Sequence, residues 1–257
     1  MTQETFPIQT QEPAESPVTA APQPNLKRKR RRQRRLSALV LVLVLLIFLS
    51  YIGVFGGNVR TVEAGKVYRS SQLTGRGYES LSASLIGNSL EAVLASHHIK
   101  TVLNLRGGSS HDLYYRDEIS VCSEHQVAHI DAAFSARHLP SPETLQKILD
   151  AFDHAEYPIL IHCQAGSDRT GLASVLYAHL YEHQTLEQAR SEELTWRYGH
   201  FRVGQTRKMD EFFDLYQQTS KGLGLREWIR QVYPPLYVER EPEEAKSQRG
   251  ETHTTAH

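Results

Sequence analysis

The alternation of apolar and polar positions divides most of the chain into short strands separated by helices. Apolar runs bounded by polar or turn residues predict strands at 100–106, 127–130 and 158–161. Between them, apolar residues at helical spacing predict helices over 112–125 and from Ser141 onward. Strands that alternate with helices are typical of an α/β fold, in which a mainly parallel sheet carries helices on both faces.

The pattern continues as helices toward the end of the chain. Thr185 and Gln188 form a predicted capping box, and Thr206 is a predicted helix cap. A last amphipathic helix begins at Leu225, and we expect Pro234 and Pro235 to end it. This organisation predicts one folded domain over residues 58–237, followed by a disordered polar tail at 238–257.

The beginning of the chain has a different pattern. Residues 27–35 are almost purely cationic, and 36–55 contain no charge. At 1.5 Å per residue, the uncharged stretch can cover the roughly 30 Å core of a bilayer. We therefore predict a transmembrane helix at 36–55 and a disordered basic cytoplasmic tail at 1–35. The positive-inside rule then places the folded domain on the periplasmic or extracellular side.

Two alternatives remain for this region. The apolar stretch could belong to a cleaved signal peptide, although 53–58 lacks a clear small-x-small cleavage site. The arginine-rich run could serve nuclear targeting or nucleic-acid binding. Adjacency to an uncharged span favours the membrane interpretation. The formal net charge of the chain is +0, so composition predicts no nucleic-acid partner.

Cysteine is scarce, because the chain has only Cys122 and Cys163. Two cysteines exclude a disulfide framework. Cys122 shares a helical face with Tyr115 and Ile119, which predicts packing in the core. The alternative, in an oxidising compartment, is a reversible disulfide between the two cysteines.

The strongest chemical signal is the loop that connects the strand at 158–161 to the next helix. It begins with Cys163 and ends with Arg169. A tight loop that leads into a helix N-terminus turns backbone N–H groups inward, which makes a site for a tetrahedral oxyanion. The expected phosphate-binding residues are Gln164, Ala165, Gly166, Ser167, Asp168 and Arg169.

The two ends of this loop predict the chemistry. A thiol near N–H dipoles, a helix N-terminus and a guanidinium ionises below the usual pKa of ~8.5, so Cys163 is the expected nucleophile. Arg169 offers a planar fork that can hold two phosphoryl oxygens in the transition state. The Thr170 hydroxyl can assist departure of the thiolate. A buried cysteine that merely packs is the alternative.

The ordered set His162, Cys163, Gly166, Arg169 and Thr170 resembles the C-x5-R-T loop of cysteine-dependent protein tyrosine and dual-specificity phosphatases. The segments Y-R-S-x-Q at 68–72 and L-N-L-R at 103–106 are similar to segments of bacterial and fungal members. This resemblance, to a bacterial-type membrane-anchored member, implies the protein-tyrosine-phosphatase-like fold. It also implies metal-free, cofactor-free hydrolysis of phosphomonoesters through a cysteinyl-phosphate intermediate. No H-E-x-x-H or G-K-[ST] motif indicates a metal or nucleotide site.

The family also uses an aspartate ahead of the cysteine as general acid, and then as base for water. Asp131, at the end of the strand at 127–130, suits that role, while simple solvation of a strand end is the alternative. The following residues lack a Trp-Pro-Asp segment, so Glu143 and His138 remain as substitutes.

Three functions stay open. A phosphotyrosine or phosphoserine/threonine protein is the first expected substrate. A phospholipid or inositol phosphate is the second, because Asp168 before Arg169 is similar to the D-R-T ending of inositol-lipid phosphatases, although Ser167 stands where those often have Lys or Trp. An inactive phosphate-binding interaction module is the third. Arg197, His200 and Arg202 either line the substrate mouth or pack elsewhere.

Overall fold

The computed structural model describes residues 26–55, 57–73 and 89–240. The chain divides into two units, Met1–Leu46 and Ile47–His257. Helix α1, Leu26–Phe55, begins inside the basic run, so residues 26–35 of the predicted disordered tail are helical. Residues 1–25 and 241–257, which hold most of the two predicted tails, lie outside the described residues.

The uncharged part of α1, residues 36–55, is the predicted membrane span. Leu36, Leu41 and Leu43 are all more than half exposed. In the part of the chain that the structure describes, no helix combines the length and apolarity needed to cross a bilayer. The predicted transmembrane helix at 36–55 is therefore not supported.

The second unit is built on a mixed sheet of five strands. They are β1 Arg60–Glu63, β2 Val67–Ser70, β3 Thr101–Asn104, β4 Ala128–Asp131 and β5 Ile159–His162. Their order is β1-β2-β5-β3-β4, with β1 antiparallel to β2 and the other pairs parallel. Ser70 and Asn104 are in register with His162, and Asp131 is in register with Asn104. The carboxyl ends of the four parallel strands therefore form one edge, as the pattern of strands and helices predicted.

Helices connect and follow these strands. They are α2 Leu90–Ser96, α3 Leu113–Glu124, α4 Pro142–His154, α5 Asp168–Leu180, α6 Leu186–Glu193, α7 Lys208–Thr219, α8 Leu225–Gln231 and α9 Tyr233–Arg240, with 3-10 turns at Trp196–Tyr198 and Gly204–Arg207. Ser141 caps α4 and Pro142 occupies its first turn, as predicted. The predicted capping box of Thr185 and Gln188 is also present, at the start of α6.

Alternate residues of the central strands face two separate cores, which is why those strands are apolar throughout. Val102 and Leu160 pack on one face with residues of α2 and α3. Leu103 and Ile161 pack on the other face with α4, α5 and the C-terminal helices. All four side chains are fully buried. Each contributes about 1.5–3 kcal/mol, so the sheet is a rigid support for the loops at its carboxyl edge.

Two local predictions are wrong. Thr206 does not cap a helix: it lies in a 3-10 turn, and its hydroxyl donates to the carbonyls of Phe201 and Val203. Helix α8 ends at Gln231, before Pro234 and Pro235, but it is not the last helix: the two prolines lie in the first turn of α9, where their missing N–H costs nothing. The helix reaches Arg240, three residues into the predicted tail.

The predicted core face of α3 is also partly wrong. Cys122 is a free, buried thiol, as the packing interpretation expected. Ile119, however, is 37% exposed, whereas Glu118 is 2% exposed. The buried face of α3 therefore includes a carboxylate, whose partners belong to the candidate site.

Candidate functional site

The loop of residues 163–169 follows β5, between β2 and β3 at the carboxyl edge of the sheet. Gly166 has a φ of +69°, in the left-handed region that favours glycine. A Cβ added there would lie 2.6 Å from the backbone carbonyl carbon of Ser70. The positive φ and the close approach to Ser70 both require glycine at this position. The contact with the end of β2 fixes the distance between the loop and the sheet.

The carbonyl groups of this loop point away from its centre, toward donors supplied by an earlier part of the chain. Gln72 N donates to Gln164 O (3.1 Å), Asn58 Nδ2 to Ala165 O (3.1 Å) and Gly166 O (3.3 Å), and Arg69 to Gly166 O (2.9 Å) and Ser167 O (3.4 Å). The N–H group of Gly166, in contrast, points to the Cys163 thiol. A loop with this polarity presents N–H dipoles to its interior, which is an anion-binding nest.

Arg69 supports the loop by its hydrogen bonds to the carbonyls of Gly166 and Ser167. Its side chain is fully buried, and one terminal nitrogen lies 2.6 Å from both the carbonyl oxygen and a carboxylate oxygen of Glu193. Its guanidinium also stacks on the Tyr198 ring, 4.4 Å from the ring centre. A buried cation with a bonded carboxylate and aromatic cover is held rigidly, and this rigidity passes to the carbonyls of Gly166 and Ser167.

Cys163 begins the loop and is 2% exposed. Burial by itself would raise the pKa of its thiol. The Arg169 charge, the Thr170 hydroxyl and the backbone N–H groups of Thr170 and Gly166 together outweigh burial and hold the pKa below its ordinary value. The structure thus brings three predicted site residues around the sulfur, which is suited to act as a thiolate.

Arg169 closes the loop in the first turn of α5. One terminal nitrogen donates to the carbonyls of Leu105 (3.3 Å) and Phe134 (3.1 Å), which fixes the plane of the guanidinium. Its Nε is buried and has no partner in the described structure. A buried donor without a partner is costly, so this N–H is a ready ligand for a bound oxyanion.

His162 precedes the nucleophile and has both ring nitrogens next to acceptors. Nδ1 lies 3.4 Å from the carbonyl oxygen of Cys163, and Nε2 lies 3.1 Å from Oε1 of Glu118. A neutral imidazole carries one proton, whereas the imidazolium can donate to both acceptors, so this arrangement favours the charged form. Burial lowers the pKa of His162, but the charge and hydrogen bond of Glu118 outweigh it, so the pKa is raised.

His200 has a similar arrangement at the other end of the loop. It is buried rather than lining a substrate mouth, with Nδ1 2.7 Å from Asp168 and Nε2 2.8 Å from Asp210. Burial opposes its charge, but the two carboxylates raise the pKa of His200 to about 9. Asp168 of the loop is thereby tied to α7. Arg197 and Arg202, the other predicted mouth residues, are exposed, and Arg202 pairs with Asp210 at 3.0 Å.

Asp131, the predicted general acid, ends β4, two strands from β5 in the sheet order. At about 4.8 Å per strand, its backbone lies roughly 10 Å from that of His162. Its side chain is 40% exposed. One oxygen accepts from Asn104 Nδ2 (2.8 Å) and the other from the Tyr115 hydroxyl (2.5 Å). To act as an acid, the carboxyl group has to exchange one of these donors for the leaving group.

Asn104 and several other supporting residues were not predicted. Its Oδ1 accepts from the N–H groups of Arg106 (2.8 Å) and Gly107 (3.1 Å), so one buried amide links the turn after β3 to Asp131. Asn58, Arg69 and Glu118 were missed as well. For Arg69 and Asn104, the Y-R-S-x-Q and L-N-L-R segments were the available signal. Asn58 and Glu118 had none that differs from an ordinary polar residue.

One group of metal-ligating side chains occurs among the described residues. Asp150, Asp153 and His154 are exposed near the end of α4. Both oxygens of Asp153 are already bonded to Arg226, at 2.6 and 3.0 Å. Exposed acidic groups of this kind are common without a metal, and the cluster contributes nothing to the phosphate loop.

Comparison with known proteins identifies the family of the chain. The model of a family described as the tyrosine phosphatase family matches residues 53–187, just over half of the chain. None of the curated proteins matches.

Among solved structures, Tk-PTP in its active form is 18% identical, with a TM-score of 0.42, over 60% of this chain and 93% of that chain. TpbA of P. aeruginosa is 16% identical, with a TM-score of 0.42, over 60% and 86%. The core catalytic domain of the PP-IP phosphatase SIW14 of S. cerevisiae is 18% identical, with a TM-score of 0.45, over 63% and 93%.

Proposed function

This chain belongs to the tyrosine phosphatase family, and we propose that it hydrolyses phosphomonoesters of proteins, with phosphotyrosine as the first candidate. The observation that carries the proposal is the loop of residues 163–169, in which Arg169, the Thr170 hydroxyl and backbone N–H groups surround the Cys163 thiol and lower its pKa. The buried Arg169 Nε adds one more N–H donor. A phosphoryl group is the oxyanion that such an arrangement binds next to a nucleophile.

In the proposed first step, the Cys163 thiolate attacks phosphorus and the bond between phosphorus and the leaving oxygen breaks. The leaving oxygen takes a proton from Asp131, and phosphate becomes bonded to sulfur. The Arg169 fork and the loop N–H groups bind the three non-bridging oxygens as charge develops.

In the second step, Asp131 accepts a proton from water, and the water oxygen attacks phosphorus. The bond between phosphorus and sulfur breaks, and inorganic phosphate leaves. The thiolate returns to its starting state, stabilised by the same Arg169 charge and Thr170 hydroxyl that lower its pKa.

A second candidate substrate is an inositol phosphate or phospholipid head group that carries more than one phosphate. Arg106 favours it. This residue follows β3, its N–H is fixed by Asn104, and its guanidinium lies 3.4 Å from both Gln72 Oε1 and the centre of the Tyr114 ring. No carboxylate of the described residues pairs with it, so Arg106 offers a second cation beside the loop, where Ser167 offers none.

The test is phosphate release from a phosphotyrosine peptide, a phosphoserine peptide, an inositol polyphosphate and a phosphatidylinositol phosphate, without added metal. We expect release that a Cys163→Ser variant loses, with the tyrosine peptide as the preferred substrate. A preference for the inositol compounds that Arg106→Gln reverses would favour the second candidate. Binding of phosphate without release from any substrate would favour an interaction module.

A further inference from the structure

The hydrolysis proposed above makes no use of a carboxylate buried beneath the loop. Glu118 of α3 is 2% exposed. Its Oε1 lies 2.7 Å from His129 Nε2 of β4 and 3.1 Å from His162 Nε2 of β5, and its Oε2 accepts from Gln72 Nε2. A buried charge is costly unless several donors satisfy it, and this carboxylate has three. They come from three different segments that meet beside Cys163.

We infer that Glu118 is a positioning residue for the nucleophile: it holds His162 in the imidazolium form next to Cys163, and so favours the thiolate. This inference deepens the proposed function and rests on it. The contacts that carry it are those of the His162 ring, whose Nδ1 faces the Cys163 carbonyl and whose Nε2 faces Glu118. Two facing acceptors favour a doubly protonated ring, and the carboxylate opposite Nε2 is the charge that stabilises it against burial.

The effect on the Cys163 thiol follows from the position of the His162 ring between Glu118 and Cys163. Removal of the Glu118 charge leaves a buried imidazole, which burial drives to the neutral form. The net charge of residues 118 and 162 together is zero both before and after removal of the Glu118 charge. Before removal, however, a positive charge on His162 lies next to Cys163, and afterwards it does not. Electrostatic coupling is reciprocal, so a thiolate that stabilises the imidazolium is itself stabilised by it. Loss of the cation therefore raises the pKa of Cys163.

Two of the other groups around Glu118 titrate well above the pH range of interest. Burial, followed by the charge of Glu118, raises the pKa of Cys122 to about 12. The hydrogen bond to Asp131 is the main reason that the pKa of Tyr115 is also raised to about 12. His129 faces Glu118 directly, and its Nδ1 lies 4.0 Å from Asp131. Gln72 is uncharged and links Glu118 to Arg106.

The experiment measures the rate of alkylation of Cys163 by iodoacetamide as a function of pH, without substrate. It uses the full chain with Cys122→Ser, so that Cys163 is the remaining thiol. We expect Glu118→Gln to move the profile upward by about one pH unit, which slows alkylation at pH 5.5 about tenfold. Glu124→Gln, an exposed carboxylate on the same helix, is the matched control and should leave the profile in place.

A double variant identifies the route of the effect. In a His162→Asn background, Glu118→Gln should no longer shift the profile, because the cation that it controls is absent. A shift of the same size in that background would overturn the inference, as would an unshifted profile in a folded Glu118→Gln variant.

The unaltered protein provides a test without folding risk. Nitrogen NMR of the His162 ring at pH 7 should show both nitrogens protonated, and a neutral ring would overturn the inference. These measurements do not require catalytic turnover. If the protein is inactive but the reactivity of Cys163 depends on Glu118, the proposed function is refuted and this inference is not.

Discussion

The two sides of the phosphate loop, residues 163–169, each depend on a buried histidine bonded to carboxylate, but the surroundings of these histidines differ. On the strand side, His162 shares Glu118 with His129, and all three side chains are less than 10% exposed. On the helix side, His200 lies between Asp168 and Asp210, and Asp210 also pairs with Arg202, whose side chain is 62% exposed.

Because one cluster is enclosed and the other reaches solvent, a histidine bonded to carboxylate has a different function on each side. The strand-side cluster is enclosed and adjoins the sulfur, so its charge acts on the nucleophile. The helix-side cluster reaches solvent through Arg202 and adjoins Asp168, so its charge acts on the attachment of the loop to α7. Variants on the strand side should therefore change thiol chemistry, whereas variants on the helix side should change stability. Four predictions test this distinction.

The largest effect is expected at Arg169, which ends the loop and whose charge lowers the pKa of Cys163. Arg169→Lys should lower kcat/KM on the order of 10³-fold, about 4 kcal/mol, because an ammonium cannot replace the planar fork. Binding of tungstate or phosphate, followed by calorimetry, should weaken as well. Cys163→Ser is the contrast, since it removes turnover but keeps the loop N–H groups and Arg169. Unchanged anion binding in Arg169→Lys would contradict the assigned role.

Gly166→Ala tests the contact between the loop and β2. A Cβ would collide with the backbone of Ser70, and the φ of +69° adds strain, so we expect a loss of about 3 kcal/mol in the free energy of unfolding. Gly65→Ala is the matched control, because Gly65 has a φ of +77° and nothing within 4 Å. It should cost about 1 kcal/mol. Equal losses in urea unfolding would show that packing against β2 is unimportant.

Asp131→Asn tests the predicted acid. We expect kcat to fall about 10²-fold for a phenyl phosphate with a poor leaving group, and far less for one with a good leaving group. The free energy of unfolding should fall by about 1 kcal/mol, because the single oxygen of asparagine can accept from the Tyr115 hydroxyl or from Asn104 Nδ2 but not from both. An equal loss for both leaving groups would assign the proton to another group, with His138 and Glu143 the first to examine.

The smallest effect is expected at His200, and it depends on pH. Its folded pKa of about 9 lies above the ordinary value of 6.5, so its stabilisation is complete below pH 6.5 and disappears as the pH rises through 9. We expect about 2 kcal/mol of the free energy of unfolding to be lost over this window. Urea unfolding of His200→Asn should lack that part of the pH dependence. An identical dependence in both proteins would contradict the charged state of His200.

The sequence predicts a site feature well when the residues that form it are consecutive, and poorly when they come from distant segments. The residues from His162 to Thr170 are consecutive, so their spacing between a strand and a helix was enough to predict the loop and its chemistry. Glu118 could not be predicted, because a glutamate on a helix is usually exposed to solvent. Its burial depends on histidines of two strands, β4 and β5. The same limit misplaced Ile119 in the core, since the two residues are neighbours and the rotation of α3 was decided by polar contacts.

Arg69 and Asn58 illustrate a second limit. The Y-R-S-x-Q segment marks Arg69 by resemblance alone, and nothing local marks Asn58. The contacts of both side chains with the backbone of residues 165–167 form only in the folded chain. The two prolines after α8 were misjudged for a simpler reason: proline ends one helix and begins another equally well, so the sequence leaves both outcomes open.

The outward-facing carbonyls of the loop have a consequence for how the protein is made. Their partners on one side lie as many as 108 residues before the loop, at Asn58, and the contact of Asp168 with His200 reaches 32 residues beyond it. During synthesis from the N-terminus, β1 and β2 are therefore available before Cys163 emerges, but the helix-side support is not. The reactive thiol can reach its final surroundings only after residue 200 has left the ribosome, so a chain arrested in this interval exposes an incompletely supported nucleophile.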